Sequence, residues 1–408
     1  MNSGIAAPWL ASVGAGRWQL SGIRAARDNG ISVLAMDGDP DAPGLAVADS
    51  AMVVDIRDPK VVVDAVVASE IQIAGAISFA AEVGMRAVGA LRDRFSLPGP
   101  RFKVMEQLTD KAKQRHAWEM ADLENPRFWR IIEDLQQGYA AISDADEPVI
   151  IKPVDSAGSR GVTRLDGDAH KNEQRAALER ALSGSQSQRA IVESVLPGRE
   201  YTVETFADGE TTHVLAVTVK KKVANTGDTV ANELATPDDP PDVLDAIGKT
   251  ACQALEAVGY REGPGHVEIM YAAGLAPALI EAAGRGAGFM VFERFVPLTS
   301  GYDILAACVA QAIGRQVRYS PATKQAGVIR FFPSKPGRVR AYAGFEQAND
   351  CDGVEAGSFV NVGDTMSAAE SDGDRLGYIL ATGPTPGIAH QRADLAESFI
   401  SFEIAQDV

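Results

Sequence analysis

The sequence predicts an α/β protein, α+β in parts, and three observations carry that expectation. A β-turn-α-β unit opens the chain: residues 9–16 read as a strand running into a glycine turn, 19–29 have the apolar spacing of a helix closed by Gly30, and 31–36 form a second buried strand ending at Asp37. Residues 52–54 and 75–79 add short apolar runs of the same kind, so the first part should be a parallel sheet with helices on both faces. Further along, the pattern changes to neighbouring strands joined by short turns, above all 265–270 and 278–283 around a Gly-Leu-Ala-Pro turn.

At 408 residues the chain exceeds one ordinary core and should divide into two to four domains. An apolar fraction of 46% with 23% charged residues describes a soluble globular protein. The net charge of −16 argues against a nucleic-acid backbone partner. Cys252, Cys308 and Cys351 are scattered and lack CxxC spacing, which implies a reducing compartment and neither a disulfide framework nor a zinc site. No charged leader precedes the first apolar run and no run reaches membrane-spanning length. A cytoplasmic protein is expected, with no membrane association.

Taken in order, the elements offer several chemical footholds. Gly14-x-Gly16 and Asp37 imitate part of a dinucleotide fingerprint, but Gln19 stands where its third glycine belongs, so a structural turn is the better reading. Glu82 follows the carboxyl end of a strand, where open sheets bind ligands; a helix-start acid favoured by the dipole explains it as well. The stretch with Lys103, Lys111, Lys113 and Arg115 reads as a helix with a solvated face. Lys152 ends a β run and is followed by a small loop containing Ser156, Gly158, Ser159 and Gly161. Backbone N–H groups can converge on a phosphate in such a loop, although it is not a P-loop.

A strand over 189–193 leads through Glu193, Ser194, Leu196 and the Pro197-Gly198 kink into another that carries Glu200. Backbone groups around such a kink suit an adenine edge, and Glu200 suits a ribose. Lys220, Lys221 and Lys222 close the strand that begins at His213, residues 224–241 have the length of a mobile segment or lid, and a helix covers 241–258. In the following hairpin Glu268 and Glu281 would meet if the strands are antiparallel. Two carboxylates hold Mg²⁺ while leaving positions for phosphate oxygens.

Asp110-Lys111, Ile151-Lys152-Pro153 with its glycine loop, Glu193-x-x-Leu196-x-Gly198-x-Glu200, His266-x-Glu268 and Ile280-Glu281-x-x-x-Arg285 stand in an order and spacing that resemble the ATP-grasp superfamily across residues 1 to about 315. The resemblance is to its carboxylate-amine ligases, the L-amino acid ligases and the biotin carboxylase and carbamoyl-phosphate-synthase-like branch. It implies an ATP-grasp fold with an N-terminal parallel-sheet (pre-ATP-grasp) domain at 1–105. A lid subdomain with its leading helix would follow at 106–200, a catalytic subdomain at 201–315 and a C-terminal α+β subdomain at 316–408.

Carried over residue by residue, it implies that Lys111 and Lys152 contact ATP phosphates beneath the loop of Ser156, Gly158, Ser159 and Gly161. Glu193, the backbone of Ser194 and Leu196, and Glu200 complete the nucleotide-binding set, to which Glu82 is added as a candidate only for its place after a strand end. Glu268 and Glu281 would bind Mg²⁺, for which Mn²⁺ can substitute. Arg285 would steady an acyl phosphate, one of Lys220, Lys221 and Lys222 would reach the γ-phosphate, with Lys220 the choice, and His266 takes a place where some relatives have arginine. A core histidine satisfied by the backbone is the competing reading of His266. Ala283 replaces an asparagine that many members use as a metal ligand.

The implied reaction is ATP-dependent ligation of a carboxylate to an amine through an acyl phosphate, releasing ADP and phosphate. Small-molecule substrates are expected, amino acids first, in dipeptide or specialised-metabolite synthesis. A purine-pathway ligase or carboxylase on a phosphoribosyl substrate, or a non-catalytic nucleotide-binding regulator, are the alternatives. Homodimers are common in the resembled branch. In the last ninety residues, glycine-punctuated strands precede a helix over 391–399, and Arg330 reads as a strand-surface charge rather than a substrate ligand.

Overall fold

A computed structural model of the chain describes residues 7–222, 231–320, 324–369 and 373–405. Strands β1 (Trp9–Val13), β2 (Ser32–Asp37), β3 (Ser50–Val53) and β4 (Ile73–Ile77) form a parallel sheet in the order β3-β2-β1-β4. Alternate side chains leave opposite faces. Ala11, Val13, Leu34 and Met36 therefore pack with helices α3 (Pro59–Ala68) and α4 (Met85–Phe95), while Leu10, Val33 and Ala35 pack with α1 (Leu20–Asp28) on the other side. The short helix α2 (Pro43–Val47) lies between β2 and β3. The glycine turn after β1 is held by Asp37, whose carboxylate accepts the Ala15 N–H at 2.7 Å, in keeping with a structural turn.

Two helices, α5 (Phe102–Leu108) and α6 (Lys111–Met120), lead to a small antiparallel sheet. Its strands are β5 (Trp129–Ile132), β6 (Val149–Pro153), β7 (Thr163–Leu165) and β8 (Ala190–Ser194), in the order β5-β8-β6-β7. Helices α7 (Leu135–Ala145) and α8 (Lys171–Ser183) cover one face around Ile132, Ile151, Leu178 and Val192. The Lys-bearing α6 is not the solvated helix expected, because Lys111, Gln114, Arg115 and Trp118 are buried along one side. Those residues sit at i, i+3, i+4 and i+7, the period of a packed face, which their polarity disguises in the sequence.

The largest sheet is antiparallel and has eight strands. Chain order gives β9 (Arg199–Asp208), β10 (Thr212–Lys222), β11 (Ala231–Ala235), β12 (Glu262–Tyr271), β13 (Ala278–Ala283) and β14 (Ala326–Pro333). After β15 (Gly337–Ala343) come β16 (Val354–Ser358), β17 (Thr365–Met366), β18 (Arg375–Gly383) and β19 (Ser401–Ala405). The spatial order is β13-β12-β9-β10-β11-β14-β18-β16, and β17-β15-β19 form a small sheet beside it. One sheet therefore runs across the division expected at residue 315, since β14, β18 and β16 extend it. Helix α9 (Pro241–Ala257) packs on β12 and β13 through Ile247, Ala251, Ala254 and Leu255.

Three expectations need correction. Residues 231–235, inside the stretch 224–241 read as a mobile lid, are a sheet strand; residues 223–230 lie outside the described residues. Ala-Asn-Glu-Leu-Ala reads as polar loop because the sequence hides that Glu233 meets Arg330 on the neighbouring β14 at 2.6 Å. Arg330 is accordingly no surface charge: it is largely buried among Glu233, Asp394 and Glu397. The last helix begins at Pro386 and ends at Glu397, started by the Thr385 cap and a first-turn proline. No helix among the described residues is long and apolar enough to cross a membrane.

Candidate active site

The small sheet faces the large one across a cavity of about 710 Å³. Strand periodicity decides what lines it. Glu200, Thr202 and Glu204 of β9 share a face, which register extends to Thr218, Lys220 and Lys222 of β10 and to His266 and Glu268 of β12. Lys221 falls on the opposite face and is exposed, so Lys220 and Lys222 are the members of the lysine triplet that reach the cavity. Across β12 and β13, Glu268 and Glu281 are direct register partners.

The kink before β9 depends on one glycine. Gly198 has φ of +107°, and a Cβ there would stand 2.1 Å from the Tyr271 carbonyl oxygen. No side chain fits this close approach. The kink places Ser194, Leu196 and Glu200 along the cavity wall. Lys152, Ser156, Gly158, Ser159, Lys111 and Arg285 line the same space.

The charged side chains are arranged in pairs. Lys220 Nζ donates to Glu268 at 2.5 Å and to Glu200 at 2.6 Å, and Lys222 reaches the second Glu200 oxygen at 2.8 Å. Lys111 Nζ donates to Glu281 at 2.9 Å and to the Ser156 carbonyl at 2.7 Å. Lys152 lies 2.5 Å from Glu193, whose other oxygen accepts from Arg115. Burial pushes the Lys152 ammonium down from its ordinary pKa, with Glu193 opposing that shift. For Glu268 burial favours the neutral form, but Lys220 and His266 outweigh it and hold the carboxyl well below the usual range.

His266 is satisfied by a carboxylate rather than by the backbone. Its Nδ1 lies 2.6 Å from Glu204 and its Nε2 3.6 Å from Glu268. Burial lowers its pKa, yet the two carboxylates prevail and raise it to about 9. Glu82 takes a different place from the nucleotide-binding one expected: it is buried and accepts from Arg285 Nη2 at 2.9 Å, outside the cavity lining. Gly161 likewise lies beside Pro153 rather than in the lining. Sequence reasoning missed Arg115 and Glu204, and it left Lys222 open beside Lys220 and Lys221. For Lys222 the two-residue spacing from Lys220 is a usable signal, whereas Arg115 is a buried charge paired with the distant Glu193 and has none.

Two sheets thus close on a cleft lined by lysines and glutamates. The ATP-grasp domain family matches residues 145–293, and the L-amino acid ligase C-terminal domain 2 family matches residues 330–405. Residues 145–293 are thus an ATP-grasp domain. Among solved structures it resembles the L-amino acid ligase from Bacillus licheniformis, with TM-score 0.81 and 18% identity over 98% of this chain and 99% of that one. It also resembles phosphoribosylglycinamide synthetase from Anaerococcus prevotii, with TM-score 0.76 and 20% identity over 98% and 100%. These likenesses show the fold.

By sequence it is 30% identical over 122 residues to the phosphoribosylamine–glycine ligase of Methanosphaera stadtmanae, covering 29% of this chain and 27% of that protein. The same enzyme of Methanobrevibacter smithii is 29% identical over 124 residues, covering 29% and 28%. The chain thus matches about a quarter of the length of these curated relatives.

Proposed function

We propose that the chain is an ATP-dependent ligase that joins a carboxylate to an amine through an acyl phosphate. One observation carries the reading: Glu268 and Glu281 stand in register on the wall where Lys111, Lys220 and Arg285 gather, with Lys152 facing them from the lid. The cavity volume lies in the range of small-molecule sites. Two adjacent carboxylates among donors for phosphate oxygens fit Mg²⁺ or Mn²⁺. When bound there, the cation supplies charge neutralisation on the phosphate oxygens.

The remaining work falls to the chain's own groups. Lys152, Lys111 and Lys220 bind the polyphosphate and offset the charge that develops as the phosphoryl group passes to the substrate carboxylate. Ser194 and Leu196 offer backbone groups to the base, and Glu200 accepts from ribose hydroxyls. Arg285, oriented by Glu82, holds the activated carboxyl oxygen and the negative oxygen that forms when the amine attacks. His266, charged and held by Glu204, fixes Glu268 rather than moving a proton. The lid sheet excludes water, which would hydrolyse the acyl phosphate.

Two finer readings separate at the amine. The curated relatives are phosphoribosylamine–glycine ligases and favour a glycine carboxylate with a phosphoribosyl amine. The amino acid reading is supported by the matched C-terminal domain. Both activate an amino acid carboxylate, so one assay tests the shared step. ATP, Mg²⁺, an amino acid pool and hydroxylamine should yield a hydroxamate with ADP. Absence of hydroxamate with every amino acid would contradict the reading. Phosphoribosylamine or a second amino acid replacing hydroxylamine then identifies the amine.

A further inference from the structure

Arg115 is fully buried, and its side chain reaches both walls of the cleft. Its Nε and Nη2 donate to one oxygen of Glu193 at 3.1 and 3.0 Å, while the other Glu193 oxygen holds Lys152 at 2.5 Å. The same Nη2 donates to the Ile280 carbonyl at 2.6 Å, one residue before Glu281. Trp118 lies beneath the guanidinium at 5.1 Å. Helix α6 grips this strand at two further points. Gln114 exchanges two hydrogen bonds with the Ala282 backbone, at 2.8 and 3.1 Å, and Lys111 holds the Glu281 carboxylate. Lys111, Gln114 and Arg115 share one helix face, and β13 is the edge strand that this face covers.

We propose that Arg115 is a positioning residue that ties Lys152 on the lid to the strand bearing Glu281, so that the phosphate-binding and metal-binding sides of the cleft keep a fixed relation. The proposal rests on the ligase reading for what Lys152 and Glu281 do. Stability alone does not account for the arrangement, because apolar residues of similar volume commonly serve a core as well as a buried charged triad. A planar fork is required, since one guanidinium bonds a carboxylate and a carbonyl in two directions, whereas a lysine ammonium is a point charge on a flexible stem. Groups one step removed from a metal or phosphate commonly act by holding those that touch it.

The test uses the full chain with Arg115→Lys and Glu193→Gln. ADP binding is measured calorimetrically with Mn²⁺ present, and Mn²⁺ binding by electron paramagnetic resonance at saturating ADP. Arg115→Lys should remain folded and weaken both ligands by about tenfold, the scale of such supporting contacts. Glu193→Gln, which spares the Ile280 bond, should weaken ADP while leaving Mn²⁺ affinity unchanged. Arg115→Lys with both affinities intact and only a lower melting temperature would overturn the proposal. Should that variant not fold, unchanged ADP affinity in Glu193→Gln would overturn it instead. Wild-type protein that binds no ADP would remove the ligase reading and the proposal with it, an outcome distinct from either variant result.

Discussion

Glu268 and Glu281 face each other across β12 and β13, yet each carboxylate is held by a lysine from a different element, Lys220 of β10 and Lys111 of α6. Acids and bases of the cleft thus neutralise one another within the protein, which keeps several buried charges at tolerable cost. On the proposed ligase reading a polyphosphate would compete for the lysines and a divalent cation for the acids, so the two ligands should reinforce each other. Removing one member of a pair leaves its partner uncompensated.

Glu281→Gln keeps the shape of the side chain but removes the charge. Phosphate release from ATP should fall by about 100-fold or more, the scale seen when one preorganised electrostatic group is lost. Circular dichroism should show an unchanged fold. Retained turnover would exclude Glu281 from the chemistry.

How much of this was legible in the sequence depends on the kind of residue. Lys152, Glu200, Glu268, Glu281 and Arg285 sit at strand ends or on hairpins with a readable period, and the cavity collects all five. The parallel sheet, the kink at Gly198 and the antiparallel hairpin followed from the same periodicity. Arg115, Glu204 and Glu233 were not legible, because each is a buried charge whose partner lies far along the chain: Glu193, His266 and Arg330. Burial of a charge depends on tertiary pairing, which no local pattern encodes. The strand 231–235 was missed for that reason.

His266 gives a pH prediction with a definite sign. Its pKa is raised from 6.5 to about 9 by Glu204 and Glu268 against the opposing effect of burial. The stability it contributes is fully present below pH 6.5 and lost as pH rises through about 9, and for a shift of this size it is of the order of 3 kcal/mol. Urea unfolding between pH 6 and 10 should show this decline in wild-type protein. The His266→Asn variant should show a flatter profile, and identical profiles would contradict the assignment.

Arg330 links β14 to β11 and to the last helix, away from the cavity lining. Arg330→Met strands the buried Glu233 and should cost about 3 kcal/mol, as breaking a buried pair does. The Michaelis constants should stay unchanged in the folded variant. A selective rise in the KM for a substrate would place Arg330 in the site.

Two glycines make a matched pair. A Cβ at Gly158 meets no atom within 4 Å, whereas one at Gly198 would collide with the Tyr271 backbone. Gly158→Ala should cost about 1 kcal/mol through its positive φ alone. Gly198→Ala should lower the melting temperature further and weaken ADP binding, because the kink that aligns Ser194 and Leu196 must open. Equal effects would show that the kink does not order the base site.

The most direct measurement is a crystal of the protein with ADP and Mn²⁺, examined for anomalous scattering from manganese. The account predicts a manganese peak at the Glu268 and Glu281 carboxylates, with the ADP phosphates in the same cavity near Lys152. A manganese peak elsewhere, or ADP bound with both acids still paired to lysine, would contradict it.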